Sequence, residues 1–148
     1  MARPIKLRKV QFMPKNTYFI PCSKKDYKIK DRVEEVKLKF EEVEAMRLKD
    51  VEGLSQEESA KKMEVSRQTF QNIIDEARKK VALALINGYA LSIEGGHYTK
   101  CICKFKCVSC HSEYELAFEK VKGNCVICSS EKIICRKRNL CNIKCSKL

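Results

Sequence analysis

Nine of the ten cysteines lie between residues 101 and 145, and this clustering constrains the fold more than any other feature of the sequence. Two pairs have the spacing Cys-x2-Cys, Cys107 with Cys110 and Cys125 with Cys128, and 14 residues separate the pairs. Each such turn directs two thiolates to one side, and two turns complete a tetrahedron of sulfur ligands. A segment this short buries too little apolar surface to fold alone, so the metal supplies its folding free energy. The pattern predicts a small β zinc ribbon in residues 97–148, with one structural Zn2+ on these four cysteines.

The remaining cysteines allow a second metal site. Its predicted ligands are Cys101, Cys103, Cys141 and Cys145. Residues two apart on a strand share a face, which suits the first pair, whereas the second pair, spaced Cys-x3-Cys, suits a helical face or a turn. His97 and His111 are alternative ligands. An iron–sulfur cluster is the alternative to zinc because it is also held by thiolates, and free or redox-active thiols are the alternative to any metal.

Positive charge is concentrated at the two ends of the chain. The net charge is +12, made up of +8 in residues 1–30, −3 in residues 31–96 and +7 in residues 97–148. Basic segments beside a folded domain suit a polyanionic partner, since each neutralised phosphate releases counterions. The alternative is that the charge only keeps the surface soluble.

Residues 1–30 are predicted to form a basic arm followed by a small hairpin. The arm, residues 1–9, carries four basic side chains that could contact DNA: Arg3, Lys6, Arg8 and Lys9. N-terminal arms of this kind lay Arg and Lys into the minor groove. Residues 10–12 and 18–20 are β-prone, and Pro14 begins a turn between them, which predicts the hairpin.

Residues 31–96 have a helical pattern. Phe40, Val43 and Met46 recur at helical spacing and predict a first helix, which ends near Gly53. Residues 55–58 form a capping box that begins a short second helix, with Ala60 and Met63 facing the core.

A tight turn at residues 64–65 and a cap at Ser66 begin a longer third helix. Its apolar stripe consists of Phe70, Ile73, Ile74, Ala77, Val81 and Ala84. A short helix, a tight turn and a longer helix are the arrangement of a helix-turn-helix, in which the second helix enters the major groove. A plain three-helix bundle is the alternative.

The face opposite the apolar stripe carries the candidate DNA-reading residues. They are Ser66, Arg67, Gln68, Thr69, Gln71 and Asn72. Arg pairs with guanine, and Gln or Asn with adenine, in the major groove. Asp75 and Glu76 follow and would repel phosphate, so only the first two turns of the helix are expected to enter the groove.

Two blocks of sequence resemble a known family. Met1-Ala2-Arg3-Pro4 and residues 52–91 (EGLSQEESAKKMEVSRQTFQNIIDEARKKVALALINGYAL) are similar to a family of small uncharacterised prokaryotic proteins predicted to bind DNA. The resemblance implies a helix-turn-helix similar to region 4 of bacterial sigma factors, of winged-helix-type size. Many members have Gly before Val65, where this chain has Glu64. If the turn needs a left-handed residue there, a non-Gly side chain costs about 1 kcal/mol.

The predicted fold class is therefore a mainly α helix-turn-helix domain followed by a β zinc ribbon. The predicted function is that of a cytoplasmic, non-enzymatic transcriptional regulator that binds double-stranded DNA. The alternatives are an adaptor that docks on RNA polymerase or another transcription protein, and a metal- or redox-responsive regulator. No catalytic constellation, apolar signal segment or membrane span is evident. Residues 81–91 suit either a homodimer interface or the closure of the core.

Overall fold

The computed structural model describes residues 4–22 and 33–137, and the chain divides into two units, residues 1–98 and 99–148. Within the described residues the fold is mixed α/β, with three α-helices and several short strands. The prediction of a mainly α first domain was wrong, because that unit also contains a three-stranded sheet. No helix in the described part of the chain is long and apolar enough to cross a bilayer. The predicted boundaries at residues 30 and 96 remain predictions.

Three helices form the centre of the first unit. Helix α1 is Phe40–Met46 and continues into a π-helical turn, Arg47–Val51; α2 is Gln56–Lys62, and α3 is Arg67–Asn87. Helix α2 begins at the predicted capping box: the Ser55 hydroxyl accepts a bond from the Glu58 N–H, and the Glu58 carboxylate accepts one from the Ser55 N–H. Helix α3 begins at Ser66, whose hydroxyl accepts the Thr69 N–H, and ends at Gly88 in the left-handed conformation.

The core between these helices consists of fully or nearly fully buried side chains. They are Ala45, Leu48, Ala60, Met63, Phe70, Ile73 and Ile74. The predicted inward residues of α2 and nearly all of the predicted stripe on α3 are buried, with Val81 half-buried. The buried face of α1 differs from the prediction, because Phe40, Val43 and Met46 are only half-buried.

Buried carboxylates occupy the adjacent face of α1. Glu42 accepts two hydrogen bonds from Lys80 at 2.8 and 2.9 Å, and Glu44 accepts two from Arg47 and one from the Gln11 N–H. A buried carboxylate is tolerated only when it is paired in this way. An apolar-periodicity rule cannot detect such a face because its partners come from distant positions.

A small sheet packs beside α3. Strands β2 (Tyr18–Phe19) and β3 (Glu35–Leu38) flank β4 (Ala90–Ile93), with β2 antiparallel and β3 parallel to β4. The predicted hairpin was wrong: Phe19 pairs with Leu91, far along the chain, and the preceding strand β1 (Arg8–Lys9) begins at a backbone bond from Arg8 to His97. The helical assignment of residues 31–96 was wrong at β3 and β4.

The second unit contains a three-stranded antiparallel sheet. Strand β5 (Tyr98–Thr99) lies at the division between the units, and β6 (Ile102–Cys107) is then flanked by β7 (Glu113–Ala117) and β8 (Ile133–Cys135). A single 3-10 turn, Phe118–Lys120, follows β7. Its small core contains Cys101, Cys103, Phe105 and Val121. Strands thus leave both cysteine knuckles.

The turn between α2 and α3 has a residue in the left-handed conformation. Glu64 has φ of +54°. The Val65 N–H donates to the Ala60 carbonyl and the Glu64 N–H to the Lys61 carbonyl, which is the Schellman pattern whose left-handed position usually holds Gly. The turn keeps its full hydrogen bonding, so the cost of Glu64 is local backbone strain.

We expect Glu64→Gly to stabilise the protein. Relief of the left-handed strain, about 1–2 kcal/mol, exceeds the unfolded-state entropy that Gly adds, so the free energy of unfolding should rise by about 0.5–1 kcal/mol. Chemical unfolding followed by circular dichroism measures the change. Glu64→Ala is the matched control, because it removes the same side chain but keeps the Cβ, and it should gain less than Gly. A loss of stability in Glu64→Gly would contradict this explanation.

Candidate metal centre and candidate nucleic-acid interface

Four cysteine sulfurs come together at one end of the sheet in the second unit. The Sγ atoms of Cys107, Cys110, Cys125 and Cys128 all lie within 4.8 Å of one another. The separation of Cys107 and Cys128 is 3.6 Å, and that of Cys110 and Cys125 is 3.7 Å. Two of the four residues are buried, one is half-buried and one is exposed. These are the four residues predicted from the spacing, and as placed they could hold a metal ion.

Each pair is part of a knuckle with the same backbone pattern. The Cys107 N–H donates to the Ser112 carbonyl, and the Cys125 N–H donates to the Ser130 carbonyl. The residue after the second cysteine is left-handed in both, with φ of +58° at His111 and +61° at Ser129. Each knuckle is thus a closed loop that turns both of its sulfurs inward. The hydroxyls of Ser109 and Ser130 join the two knuckles at 2.8 Å.

The protonation of the four thiols is uneven. Hydrogen bonding to Ser112 lowers the pKa of Cys110 to about 6, and backbone hydrogen bonding lowers the pKa of Cys125. The pKa of Cys128 is raised to about 12: the Ser130 N–H favours its thiolate, but burial and the three neighbouring thiols outweigh that bond. Like charges this close oppose one another's ionisation. A cation among the sulfurs is what allows all four to bind as thiolates.

The predicted second metal site is only partly within the described residues. Cys101 and Cys103 are buried in the small core beneath β6, while Cys141 and Cys145 lie outside the described residues. Among the described residues, one cluster of ligands is close enough to hold a metal, and neither His97 nor His111 belongs to it. The second site therefore stays a prediction.

The candidate DNA-reading residues lie along the start of α3. Ser66, Arg67, Gln68 and Asn72 are exposed, and Thr69 and Gln71 are half-buried. The same two turns bury Phe70, Ile73 and Ile74 on the opposite side. The first two turns of α3 thus have one face fixed in the core and one polar face in solvent.

The polar side chains on this face bond to neighbours on the same face. Arg67 donates to Gln56 at 3.0 Å and lies 3.3 Å from a Glu57 carboxylate oxygen. Gln68 donates to Asn72 at 3.0 Å, and Gln71 donates to Asp75 at 2.7 Å. The Ser66 hydroxyl donates to Thr69 at 2.8 Å. We call Arg67, Gln68, Gln71 and Asn72 the α3 polar face.

The basic arm is partly attached to the first unit. The Lys9 N–H donates to the Met63 carbonyl at the end of α2, and the next residue, Val10, is only 1% exposed. Arg8 is half-buried and Lys6 is exposed, whereas Arg3 lies outside the described residues. The arm therefore approaches the fold beside the turn between α2 and α3.

Sequence reasoning missed the residues that support these sites. The serines of the knuckles could have been found, because Cys-Val-x-Cys-x-Ser occurs twice, at residues 107–112 and 125–130. Gln56 and Glu57, the partners of Arg67, leave no such signal. Their approach to Arg67 depends on the angle between α2 and α3.

Comparisons with known proteins place relatives along the whole chain. The family model described as "Protein of unknown function DUF134" matches residues 1–101. A UPF0251 protein of Clostridium novyi is 57% identical over 148 residues, which cover 99% of this chain and 98% of the relative. A UPF0251 protein of Clostridium beijerinckii is 55% identical over 138 residues, covering 93% of this chain and 90% of the relative. No solved structure matches. The relatives thus extend through both units, whereas the family model covers the first.

Proposed function

The chain belongs to the family described as protein of unknown function DUF134, whose model covers the first unit, and we propose that this unit binds duplex DNA through a helix-turn-helix as a transcriptional regulator. In this proposal α2 supports α3, and the α3 polar face enters the major groove. Arg67 reads guanine, and the amides of Gln68, Gln71 and Asn72 read adenine or support Arg67.

The observation that carries the proposal is the two-sided start of α3. Phe70 is fully buried while Arg67 and Gln68, within the same turn, are exposed. The burial of Phe70 fixes the rotation of the helix, so the polar face is held outward at a defined angle. Base reading needs side chains held on a rigid element in this way.

The bonds within the polar face can be exchanged for contacts with bases. The pair between Arg67 and Glu57 is exposed on both sides, at 68% and 63% of the side chains. Exposed ion pairs contribute at most about 1 kcal/mol and are screened by salt. A bidentate contact to guanine contributes about 1–3 kcal/mol of discrimination, so the exchange favours DNA.

The positive charge near α2 and the arm suits the phosphate backbone. Lys61 and Lys62 are exposed in the last turn of α2, and the arm leaves the fold beside the same turn. Arg3, Lys6, Arg8 and Lys9 would contact phosphate or the minor groove there. Contacts of this kind supply affinity without sequence preference.

For the four-cysteine site we propose Zn2+ in a structural role. A tetrahedron with Zn–S bonds of about 2.3 Å has sulfur–sulfur edges of about 3.8 Å. The two shortest Sγ separations, 3.6 and 3.7 Å, are close to that value. An iron–sulfur cluster places several atoms between its thiolates and would need a wider cage, so a single ion suits this site better.

A second candidate function, docking on RNA polymerase or another transcription protein, is favoured by the tips of the knuckles. Val108, Val126 and Ile127 are 48%, 57% and 62% exposed on these closed loops. Rigid, exposed apolar side chains are typical of protein contacts. This adaptor function predicts weak DNA affinity without sequence preference, which separates it from the main proposal.

Arg67→Ala tests the reading role of α3. We expect a loss of about 1–3 kcal/mol in affinity for the target duplex and a smaller loss on an unrelated duplex. Fluorescence anisotropy against both duplexes measures the difference. An equal loss on both would make Arg67 a phosphate contact, and no loss on either would remove it from the interface.

Two further variants control this experiment. Arg78→Ala removes an exposed, ion-paired arginine from the same helix, three turns beyond Arg67, and should leave the affinity nearly unchanged. Glu57→Gln removes the carboxylate that holds Arg67 and should raise the affinity a few-fold.

A further inference from the structure

The last turns of α3 are apolar on every side. From Val81 to Ile86 the helix contains no polar side chain, and Ala84 alone of these residues is buried. Leu83, Leu85 and Ile86 are 45%, 76% and 82% exposed. A helix segment that is apolar on all faces is normally buried on all faces. This end of α3 therefore lacks a cover within the described residues.

Strand β2 extends the apolar surface from the helix. Phe19 and Ile20 are 52% and 39% exposed, and together with Leu85 they line a groove of about 220 Å³. Phe19 lies on an edge strand, because β2 pairs with β4 on one side only among the described strands. We define the α3–β2 patch as Phe19, Ile20, Leu83, Leu85 and Ile86.

We propose that the α3–β2 patch is the docking site for a second copy of this chain. The five side chains leave roughly 600 Å² exposed on each copy, so a symmetric dimer would bury roughly 1,200 Å² in this patch, the lower end of the range for stable interfaces. None of the five is charged, so nucleic acid and acidic peptides find no complementary group here.

The shape of the patch suits a twofold contact. The outward-facing Leu83 and Ile86 are three residues apart on the helix and form a ridge, while Leu85 lies beside the groove. A surface that holds both a ridge and a groove can match its own copy under a twofold axis. Residues 67–72 lie at the other end of α3, a helix of 21 residues and therefore about 30 Å long, so they stay uncovered.

Sedimentation equilibrium of the full-length, zinc-loaded protein tests this inference. We expect a dimer at tens of micromolar for the native chain. The double variant Leu85→Glu with Ile86→Glu should weaken dimerisation at least about a hundredfold and give a monomer, because it places four carboxylates in one apolar contact. Both positions are exposed, so the far-ultraviolet circular dichroism should not change.

Val51→Glu is the matched control. Val51 is 80% exposed and lies outside the patch, so this variant should remain a dimer. A native protein that is a monomer at these concentrations would overturn the inference, as would a double variant that stays a dimer. The assay contains no DNA, so its result is independent of whether the first unit binds DNA.

Discussion

Removal of the metal is expected to unfold the cysteine-rich unit and leave the first unit folded. The second unit has a small core, in which Cys101, Cys103, Phe105 and Val121 are the buried members. A structural Zn2+ site supplies on the order of 10–16 kcal/mol at neutral pH, more than a core of this size provides. Hydrogen exchange followed by mass spectrometry should show that chelation removes protection from β6, β7 and β8 and keeps it in α1, α2 and α3.

Single substitutions separate metal binding from a general effect of the chelator. Cys125→Ser removes one buried ligand and should lower the bound metal and the protection of β6 together. Cys22→Ser is the control, because Cys22 is exposed and belongs to the other unit. A metal-free protein that keeps full protection in β6 to β8 would show that the four cysteines do not stabilise this unit.

Phe70→Ala is expected to destabilise the first unit by about 3–5 kcal/mol. Phe70 is fully buried between the helices, beside Ala45, Leu48 and Met63, and truncation of a buried Phe leaves a cavity that the core cannot fill. Guanidinium unfolding followed by circular dichroism measures the change. Leu85→Ala, at a position that is 76% exposed, is the control and should cost much less. A loss below about 1 kcal/mol for Phe70→Ala would contradict the packing that orients the α3 polar face.

Local signals account for what the sequence could predict. Cysteine spacing placed the four ligands, because each knuckle is a short loop that fixes its own two sulfurs. The caps at Ser55 and Ser66 predicted the starts of α2 and α3, and periodicity identified the buried face of α3. All of these depend on residues within a few positions of one another.

Long-range pairing accounts for what the sequence could not predict. Strand β2 finds its partner β4 about 70 residues away, and a two-residue strand carries no pattern that names its partner. The buried glutamates of α1 were missed for the same reason, since Glu42 depends on Lys80. The bonds from Gln56 and Glu57 to Arg67 depend on the packing of α2 against α3.

The central claim is that the start of α3 reads duplex DNA, and selection of bound sequences from a random duplex library tests it most directly. The probe is the zinc-loaded, full-length protein at moderate salt, with Arg67→Ala in parallel. The account predicts an enriched motif for the native protein and a weakened preference at one position of that motif for the variant. Weak, salt-sensitive binding without any enriched sequence would contradict it.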